Sequence, residues 1–369
     1  MLMTTGPLNE RRAVIDVGTN SVKLLVADVG RTIKPVLKLS RQTRLGQGAF
    51  RTGTLLPEPM ARTVEAIAEF AAQASMLHPV SIRVVATSAA REAVNSGELV
   101  RAVERVAGLK VEIISGDQEA ELVFRGVTSD REFASRPLLI VDVGGGSTEW
   151  VVGEGAFTYL RESTHLGTAR LLEMNPPGDP PSAADLAACR KTVTDLFRER
   201  VQSKIQPVLR SFCGREVRLV GLGRALKTLA GLAGAAASSA SGEPMRLGVH
   251  QLRAQVERLW SLSAQERRKI EGLAPEKSDV ILAGAVIYET VMTRFNFSEL
   301  FVSPRGLRDG TLMTRGKATR VAELPSSFVK ISLRFTRRDE SLLMADRYAS
   351  TQGMWNGAGA PGSARQTQL

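Results

Sequence analysis

The sequence predicts an α/β protein built from two like domains that face each other. Two stretches carry this prediction, Ala13–Gly30 (AVIDVGTNSVKLLVADVG) and Pro137–Gly153 (PLLIVDVGGGSTEWVVG). Each has an apolar run, an Asp-Val-Gly tripeptide followed by polar residues, and a second apolar run, a pattern typical of strand, tight turn and strand. Because the pattern occurs twice in 369 residues, a length typical of two domains, we expect one hairpin in each domain.

Local signals predict the remaining elements of the first half. Pro57 begins a helix in which apolar residues recur every three or four positions as far as Ala74. Ser115 and Gln118 predict a capping box at the start of a helix that reaches Val127. The other expected elements are a strand at Ile33–Leu39, a loop at Arg41–Gly53, a strand at Ile82–Ala86, a helix through Leu99 and Val106, and a strand at Val111–Ile114.

The second half continues with helices and buried strands. Tyr159–Glu173 contains a prominent Gly167 and Arg170, and Pro176–Pro181 is predicted to be a turn-rich loop. The remaining expected elements are a long helix through Leu186 and Val201, a strand at Val217–Gly221 before a glycine turn and a small-residue helix, a helix at Leu252–Leu259, an apolar helix at Ser278–Met292, a strand at Leu300–Ser303, a helix after Arg305, and a weak strand candidate at Phe328–Phe335.

The two hairpin turns have the chemistry of an anion site. Glycine lets backbone amides approach an anion, and successive amides in such a turn form an anion-binding nest. One such turn is equally typical of a hairpin that binds nothing, but a second copy favours a ligand shared by both. The copies match position by position, Asp16 with Asp142, Gly18 with Gly144, Ser21 with Ser147 and Lys23 with Glu149. Asp142 is placed to hold a divalent cation, since hard metals take oxygen ligands.

Two further stretches contain candidate site residues. Thr87, Ser88 and Arg91 follow a predicted strand, and we expect them to be exposed at its carboxyl end, where α/β proteins bind ligands. Arg91 suits a phosphate clamp, although an ordinary surface arginine fits equally well. Glu119 lies in the first turn of its helix, where the dipole favours the charged carboxylate that a base needs, but a surface acid fits that position too.

The composition of the chain limits the classes of partner and the cellular compartment that we expect for it. The formal net charge of +11 favours an acidic partner such as polyphosphate, a nucleotide, nucleic acid or an anionic membrane surface, against the alternative of a merely solvated basic surface. Cys189 and Cys213 have no metal or redox spacing and the three histidines are scattered, which disfavours a disulfide framework and a histidine metal site. Neither a signal peptide nor a membrane-spanning run is evident, so we expect a cytoplasmic protein.

Together, these motifs resemble the exopolyphosphatase and guanosine pentaphosphate phosphohydrolase (Ppx/GppA) family. IDVGTNSVKLL, ATSAAREAVN, IISGDQEAELVF and LLIVDVGGGSTEW carry the resemblance in order, and DVILAGAVIYE and VSPRGLRDGTL extend it, so that it spans Ala13–Leu312. The resemblance implies two actin-like (ribonuclease H-like) ATPase-fold domains with an interdomain cleft, in the short two-domain form. We expect domains at residues 11–127 and 128–316, a final helix near 306–316 that packs back on the first domain, and a basic mobile tail at 317–369.

The resemblance also implies an activity. Members release terminal orthophosphate from linear polyphosphate, guanosine pentaphosphate or both, with Mg²⁺ or Mn²⁺ as the cofactor. By motif, Glu119 is the catalytic residue that activates water, and Asp142 and Glu149 hold the metal. The implied phosphate-binding residues are Gly18, Thr19, Asn20, Ser21, Lys23, Ser88, Arg91, Gly144, Gly145, Gly146, Ser147 and Thr148.

This sequence departs from the family pattern at three places. Lys23 stands where the family commonly has arginine, which replaces a planar clamp with a point charge. Gly223, Arg224 and Ala225 stand where Gly-Gly-Thr is usual, and Lys277 replaces another arginine. We regard Arg224 and Lys277 as candidate nucleotide or phosphate contacts.

Two other functions fit the same motifs. A kinase of this fold would use the same paired phosphate loops with ATP and an acceptor, but the sequence shows no acceptor motif. A non-catalytic sensor of guanosine tetraphosphate or polyphosphate would bind without turnover. Nucleic acid is disfavoured because no basic motif is interleaved with aromatic residues. The sequence does not choose between polyphosphate and guanosine pentaphosphate, and it leaves open whether the chain forms a homodimer.

Overall fold

The computed structural model describes residues 9–234 and 244–314, together with the backbone of Thr319 and Arg320. Its strands are β1 (Glu10–Val17), β2 (Ser21–Val29), β3 (Ile33–Gln42), β4 (Ser81–Ala86), β5 (Val111–Ile113), β6 (Leu138–Val143), β7 (Thr148–Glu154), β8 (Phe157–Thr164), β9 (Arg218–Leu222), β10 (Arg246–Gly248), β11 (Glu299–Val302) and β12 (Thr319–Arg320). Its α-helices are α1 (Ala49–Thr52), α2 (Pro57–Ser75), α3 (Ser88–Glu92), α4 (Ser96–Ala107), α5 (Gly116–Thr128), α6 (Thr168–Met174), α7 (Ala183–Phe197), α8 (Ser203–Arg210), α9 (Arg224–Leu232), α10 (Val249–Trp260), α11 (Ala264–Arg268), α12 (Val280–Arg294) and α13 (Leu307–Met313).

The strands form two sheets with the same core topology. In the first sheet β3, β2 and β1 are antiparallel neighbours, and β4 and then β5 continue it in parallel to β1. In the second sheet β8, β7 and β6 are the antiparallel neighbours, and β9 and then β11 continue it in parallel to β6. The repeated sequence motif therefore forms the central hairpin of each sheet. Both turns lie at the carboxyl end of the first strand, where α/β sheets place their ligands.

We call the first sheet with α1–α4 the first lobe and the second sheet with α6–α12 the second lobe. In the first lobe, α2 buries its apolar stripe, including Val64, Ile67 and Phe70, against β1 and β2. In the second lobe α12 is the central helix, and every residue from Ile281 to Met292 is buried. Trp150 of β7 packs edge-to-face on Phe197 of α7, with 5.9 Å between the ring centres.

Helices α5 and α13 lie between the two sheets. Val123 and Phe124 of α5 belong to the apolar cluster of the second sheet, whereas Leu312 of α13 belongs to that of the first. The two helices cross with their backbones in contact, because a Cβ added at Gly126 would lie 2.0 Å from the Gly306 oxygen and one at Gly310 would lie 1.9 Å from the Leu122 oxygen. Glycine at these two positions is what permits the close crossing.

The observed elements differ from the predicted ones mainly in polar stretches. The strand expected at Ile33–Leu39 continues to Gln42, and the loop expected at Arg41–Gly53 contains the one-turn helix α1. β3 is an edge strand whose side chains are mostly exposed, so apolar alternation does not mark its end. β8 was not predicted for the same reason, since exposed and half-buried residues alternate along it. The capping box of Ser115 and Gln118 is confirmed.

Residues after Met313 are described only in part. The backbone of Thr319 and Arg320 pairs antiparallel with the start of β4. The strand candidate at Phe328–Phe335 and almost all of the predicted tail lie outside the described residues. The domain boundaries expected at residues 127 and 316 stay a prediction. In the described part of the chain, no helix has the length and apolar character needed to cross a membrane.

Candidate active site

The two hairpin turns have the same backbone geometry. The Gly18 amide donates to the Ser21 carbonyl over 3.2 Å, and the Gly144 amide donates to the Ser147 carbonyl over 2.9 Å. Strand register extends the match, since Asp16 lies opposite Lys23 in the first hairpin and Asp142 lies opposite Glu149 in the second. The match of the two stretches at these four positions in the sequence therefore corresponds to one structural unit that occurs twice.

The two turns meet each other. A Cβ added at Gly145 would lie 2.8 Å from Thr19 Cβ, and one added at Gly146 would lie 2.4 Å from Ser88 Oγ and 2.9 Å from Thr19 Oγ1. The lobes are therefore closed on each other at this point. Glycines at 145 and 146 are needed because the opposite turn occupies the space of a side chain.

Four carboxyl groups lie beside the paired turns. Asp16 and Asp142 end the first strands of the two hairpins, Glu149 lies on β7, and Glu119 enters from the first turn of α5. Glu119 and Glu149 are 8% and 2% exposed. Burial raises the pKa of Glu119 and of Glu149, and the charges of neighbouring carboxyl groups raise both further: Asp142 and Asp16 act on Glu119, and Glu119 and Asp142 act on Glu149. The site thus concentrates negative charge that water does not screen.

Glu119 has the properties of a base that works near neutral pH. Burial raises the pKa of Glu119 to about 7, against the opposing charge and hydrogen bond of Arg91. Arg91 Nη1 donates to Glu119 Oε2 over 2.8 Å and to the Ile114 carbonyl over 3.1 Å. A carboxyl with this pKa is partly ionised at pH 7 and exchanges protons readily there.

Glu149 is a buried acid and Asp142 a half-buried one, and neighbouring groups partly offset the cost of ionising each of them. Burial raises the pKa of Asp142 to about 6, opposed by the positive charge of Lys23 and reinforced by the negative charge of Asp16. Burial, with the charges of Glu119 and Asp142, raises the pKa of Glu149 well above its usual value. Ser163 Oγ donates to Glu149 Oε1 over 2.8 Å. In the first hairpin Lys23 Nζ lies 3.6 Å from Asp16 Oδ2.

These carboxyl groups fit a hard divalent cation. They are oxygen donors, and their raised pKa values show that positive charge at this place would stabilise their ionised forms. Across residues 9–234 and 244–314, no three His, Cys, Asp or Glu side chains are already arranged to hold a metal ion together. Mg²⁺ commonly takes one or two carboxylates and completes its shell with water and phosphate oxygens, so this donor set is compatible with it.

Several predicted phosphate contacts are placed differently from expectation. The prediction that Thr87, Ser88 and Arg91 are exposed is wrong. Thr87 and Ser88 are 6% and 2% exposed, Arg91 is half-buried, and the second hairpin turn lies against Ser88. Ser88 Oγ instead donates to Glu92 Oε1 over 2.7 Å. Thr148 is fully buried and its hydroxyl donates to the Leu166 carbonyl, which directs it away from the turn.

Arg224 and Lys277 line a separate basic cavity of about 940 Å³. Burial, with the charge of Arg308, lowers the pKa of Arg224, and burial with the charge of Arg224 lowers that of Lys277. Arg224 also donates to Ser40 Oγ of the first lobe. The polar lining residues are Arg224, Lys227, Thr228, Arg258, Glu266, Lys269, Glu271 and Lys277.

A second cavity of about 360 Å³ adjoins the carboxyl cluster and includes Arg91 and Ser147 in its wall. It brings in residues that the motifs did not single out as site residues, namely Glu92, Ser163 and His165. The repeat could have identified Asp16, which matches Asp142, as a further member of the site. Ser163 gave no such signal, because its role depends on pairing of β8 with β7.

The fold and these groups define a class: a two-lobed α/β protein whose repeated glycine turns meet beside buried carboxylates. A family model described as the Ppx/GppA phosphatase family matches residues 24–317, and the chain belongs to that family.

Named relatives and solved structures agree. Exopolyphosphatase 2 of Mycobacterium tuberculosis is 34% identical over 321 residues, covering 82% of this chain and 98% of the relative. The crystal structure of an exopolyphosphatase from Cytophaga hutchinsonii is 25% identical, with a TM-score of 0.74, and the match covers 83% of this chain and 97% of that one. The Aquifex aeolicus PPX-GPPA enzyme is 28% identical, with a TM-score of 0.67 and coverage of 83% and 99%. The predicted family and the predicted two-sheet actin-like fold are confirmed.

Proposed function

We propose that this protein is a phosphohydrolase that releases terminal orthophosphate from linear polyphosphate. One observation carries the proposal: two glycine turns with matching geometry meet beside three buried carboxyl groups and the half-buried Asp142, and one of the buried groups, Glu119, has a pKa near 7. Amide-rich turns suit phosphate oxygens, and a carboxylate of that pKa suits the activation of water. The names of the relatives from Mycobacterium tuberculosis and Cytophaga hutchinsonii support the same substrate.

The chain's own residues position the phosphate groups of the substrate and neutralise part of their negative charge. The turns Gly18–Ser21 and Gly144–Ser147 bind phosphate oxygens through their amides, and Lys23 adds positive charge. Arg91 pairs with Glu119 in this structure and lines the adjoining cavity, from which it would also contact the terminal phosphate. Phosphoryl transfer depends mainly on positioning and charge neutralisation, so no covalent enzyme intermediate is required.

Glu119 accepts the proton of the attacking water. The water oxygen forms a bond to the terminal phosphorus, the bond from that phosphorus to the bridging oxygen breaks, and the proton goes first to Glu119 and then to product phosphate. The products are orthophosphate and a chain shorter by one unit. Asp142 and Glu149 would hold Mg²⁺ or Mn²⁺, which when bound supplies charge neutralisation of the phosphate oxygens.

Guanosine pentaphosphate is the second candidate substrate. The basic cavity around Arg224 and Lys277 favours it, since a ligand with a phosphate at the turns and a nucleoside elsewhere needs a second, roomy contact region. The same cations also suit the distal phosphates of a long chain. The cavity alone therefore does not decide between polyphosphate and guanosine pentaphosphate, which both present a terminal phosphate.

A substrate panel tests the proposal. Phosphate release is measured at fixed Mg²⁺ from polyphosphates of defined length, guanosine pentaphosphate and ATP, without any acceptor, using Glu119→Gln as the inactive control. Release from polyphosphate that depends on Glu119 supports the proposal. Binding of polyphosphate or guanosine tetraphosphate without release would instead identify a sensor, and phosphate transfer that requires ATP and an acceptor would identify a kinase.

A further inference from the structure

One segment of the second lobe holds all three carbonyl oxygens of the glycine turn at residues 144–146. The Thr168 amide donates to Gly144 O over 3.0 Å, and the Ala169 and Arg170 amides donate to Gly145 O over 2.8 and 3.1 Å. Arg170 Nε donates to Gly146 O over 2.7 Å. In a trans peptide the C=O and N–H groups point in opposite directions, so holding these oxygens turns the following amides to the opposite side of the turn. Those amides are the ones that the proposed function uses.

In the first hairpin the corresponding carbonyl oxygens are also held by hydrogen bonds, but there all the donors are backbone amides. Gly46 N donates to Thr19 O over 2.9 Å, and the amides of Thr43 and Arg44 donate to Asn20 O over 3.1 and 3.0 Å. Thr19 and Asn20 correspond to Gly145 and Gly146 in the repeat. At Gly146 a side chain, that of Arg170, does what backbone amides do at Asn20. A single substitution can therefore change the second turn without altering the backbone that supports it.

The other end of Arg170 is held by the first lobe. Its Nη2 lies 2.5 Å from Glu92 Oε2, and its guanidinium lies 3.9 Å from the centre of the Phe50 ring. Burial would raise the pKa of Glu92, but the hydrogen bonds from Arg170 and Ser88 outweigh it and hold that pKa below its usual value. The carboxylate is thus charged and fixed towards Arg170. These contacts exist only while the two lobes are closed on each other.

We propose that Arg170 is the positioning residue of the second phosphate-binding turn, and that it ties the orientation of that turn to closure of the lobes. Its Nε fixes the Gly146 carbonyl away from the ligand, while Glu92 and Phe50 fix Arg170. The Arg170 side chain is only 12% exposed, and its Nε and Nη2 are engaged by Gly146 and Glu92, which favours a supporting role over direct contact with phosphate. This inference rests on the proposed function of the turn.

Binding of tripolyphosphate tests the inference without turnover. In the Glu119→Gln background, Arg170→Met is expected to raise the dissociation constant measured by calorimetry about ten- to a hundredfold, the effect of losing a charge-assisted hydrogen bond. Arg170→Lys keeps a cation for Glu92 but not the planar Nε donor, so its dissociation constant stays raised. With Glu119 intact, Arg170→Met is expected to raise KM more than it lowers kcat.

Arg218→Met is the matched control. Arg218 also pairs with a glutamate, Glu132, and lies over a phenyl ring, that of Phe301, at 4.8 Å. It is 15% exposed, close to the value for Arg170, but it lies where β9 pairs with the start of β6, at the end opposite the turn. We expect Arg218→Met to lose thermal stability and keep its affinity for tripolyphosphate.

Three results would overturn the role of Arg170. They are an affinity of folded Arg170→Met within about threefold of its parent, full recovery in Arg170→Lys, or an unchanged affinity in Glu92→Gln, which removes the ion pair that ties Arg170 to the first lobe. The proposed function is judged separately, because wild-type protein that binds tripolyphosphate but releases no phosphate would contradict the activity and leave the role of Arg170 intact.

Discussion

At the scale of single residues, Glu119 is the group on which the proposed chemistry depends. Replacing it with glutamine keeps its size and removes the proton acceptor, so we expect phosphate release to fall about 10²- to 10⁴-fold while tripolyphosphate still binds. Glu121→Gln, two positions along the same helix, is the matched control, because Glu121 pairs with Arg125 and Arg161 at the surface. Release within about threefold of wild type in Glu119→Gln would remove this residue from the role.

The raised pKa values make a second residue-scale prediction, on stability. Without divalent cations, folded Glu119 and Asp142 keep their protons up to pH values of about 7 and about 6, whereas in the unfolded chain they lose them near pH 4. The free energy of unfolding is therefore expected to fall as pH rises from about 4 to about 7. Urea denaturation across that range measures the slope.

Glu119→Gln removes one of the groups responsible, so its slope should be shallower than that of the wild type. In Glu121→Gln the slope above pH 5 should be unchanged, since Arg125 and Arg161 overcome burial and hold the pKa of Glu121 below its usual range. An identical slope in Glu119→Gln and wild type would contradict the raised pKa of Glu119.

A third residue-scale prediction concerns the metal. Chelation is expected to abolish phosphate release, and added Mg²⁺ or Mn²⁺ to restore it. Asp142→Asn and Glu149→Gln should also weaken direct binding of Mn²⁺, which spin resonance measures without any substrate. Unchanged Mn²⁺ binding in both variants would place the cation elsewhere.

Sequence reasoning located the residues that a local motif encodes. Gly18–Ser21 and Gly144–Ser147 were predicted to form turns because turn geometry is set by neighbouring residues. The capping box predicted the position of Glu119 on α5, whereas its role is implied by the family motif alone. Ser163 and Glu92 were missed as site residues, since they reach the site through strand pairing and lobe contact. The predicted exposure of Ser88 was wrong for the same reason: the part of the chain that covers it lies some sixty residues away in sequence.

At the scale of secondary-structure elements, the segment before α6 is the sensitive one. A Cβ at Gly167 would lie 2.5 Å from the carbonyl carbon and oxygen of Gly145, so Gly167→Ala must displace either α6 or the second turn. We expect at least a tenfold weaker affinity for tripolyphosphate, about the cost of misplacing one charge-assisted contact. Calorimetry on the folded variant provides the measurement.

Gly178→Ala is the control for Gly167→Ala, because the nearest atoms to its Cβ, at 3.4 Å and beyond, are at ordinary contact distance. It should bind tripolyphosphate like the wild type. Equal affinities in the two alanine variants would mean that the contact between residue 167 and the turn does not matter for binding.

Elements were predictable where burial leaves a clear apolar pattern in the sequence, whether on one face or all round. The apolar stripe of α2 and the uniformly apolar α12 indicated their types directly. β8 gave no comparable signal, because much of it is exposed and its strand conformation depends on hydrogen bonds to β7. The one-turn helix α1 was not predictable either, because four residues are too few to show a helical apolar periodicity.

At the scale of the whole molecule, part of the net charge of +11 lies around the basic cavity, whose wall contains Arg224, Lys227, Arg258, Lys269 and Lys277. Lys277→Ala is expected to raise KM for long polyphosphate or guanosine pentaphosphate severalfold and to leave tripolyphosphate almost unaffected, because a longer ligand extends further from the turns and offers more groups to this cavity. Lys191→Ala is the control, since Lys191 pairs with Asp195 on the exposed surface of α7. Equal effects on short and long substrates would exclude the cavity from substrate binding. The cytoplasmic location and a homodimer stay predictions.

The glycine crossing of α5 and α13 has a mechanical consequence. Interlocked side chains resist sliding, because each must change rotamer before two helices can translate. Where Gly126 meets Gly306 and Gly310 meets Leu122, smooth backbone surfaces touch instead. We therefore expect relative motion of the two lobes to meet less resistance at these backbone contacts than it would where side chains interlock.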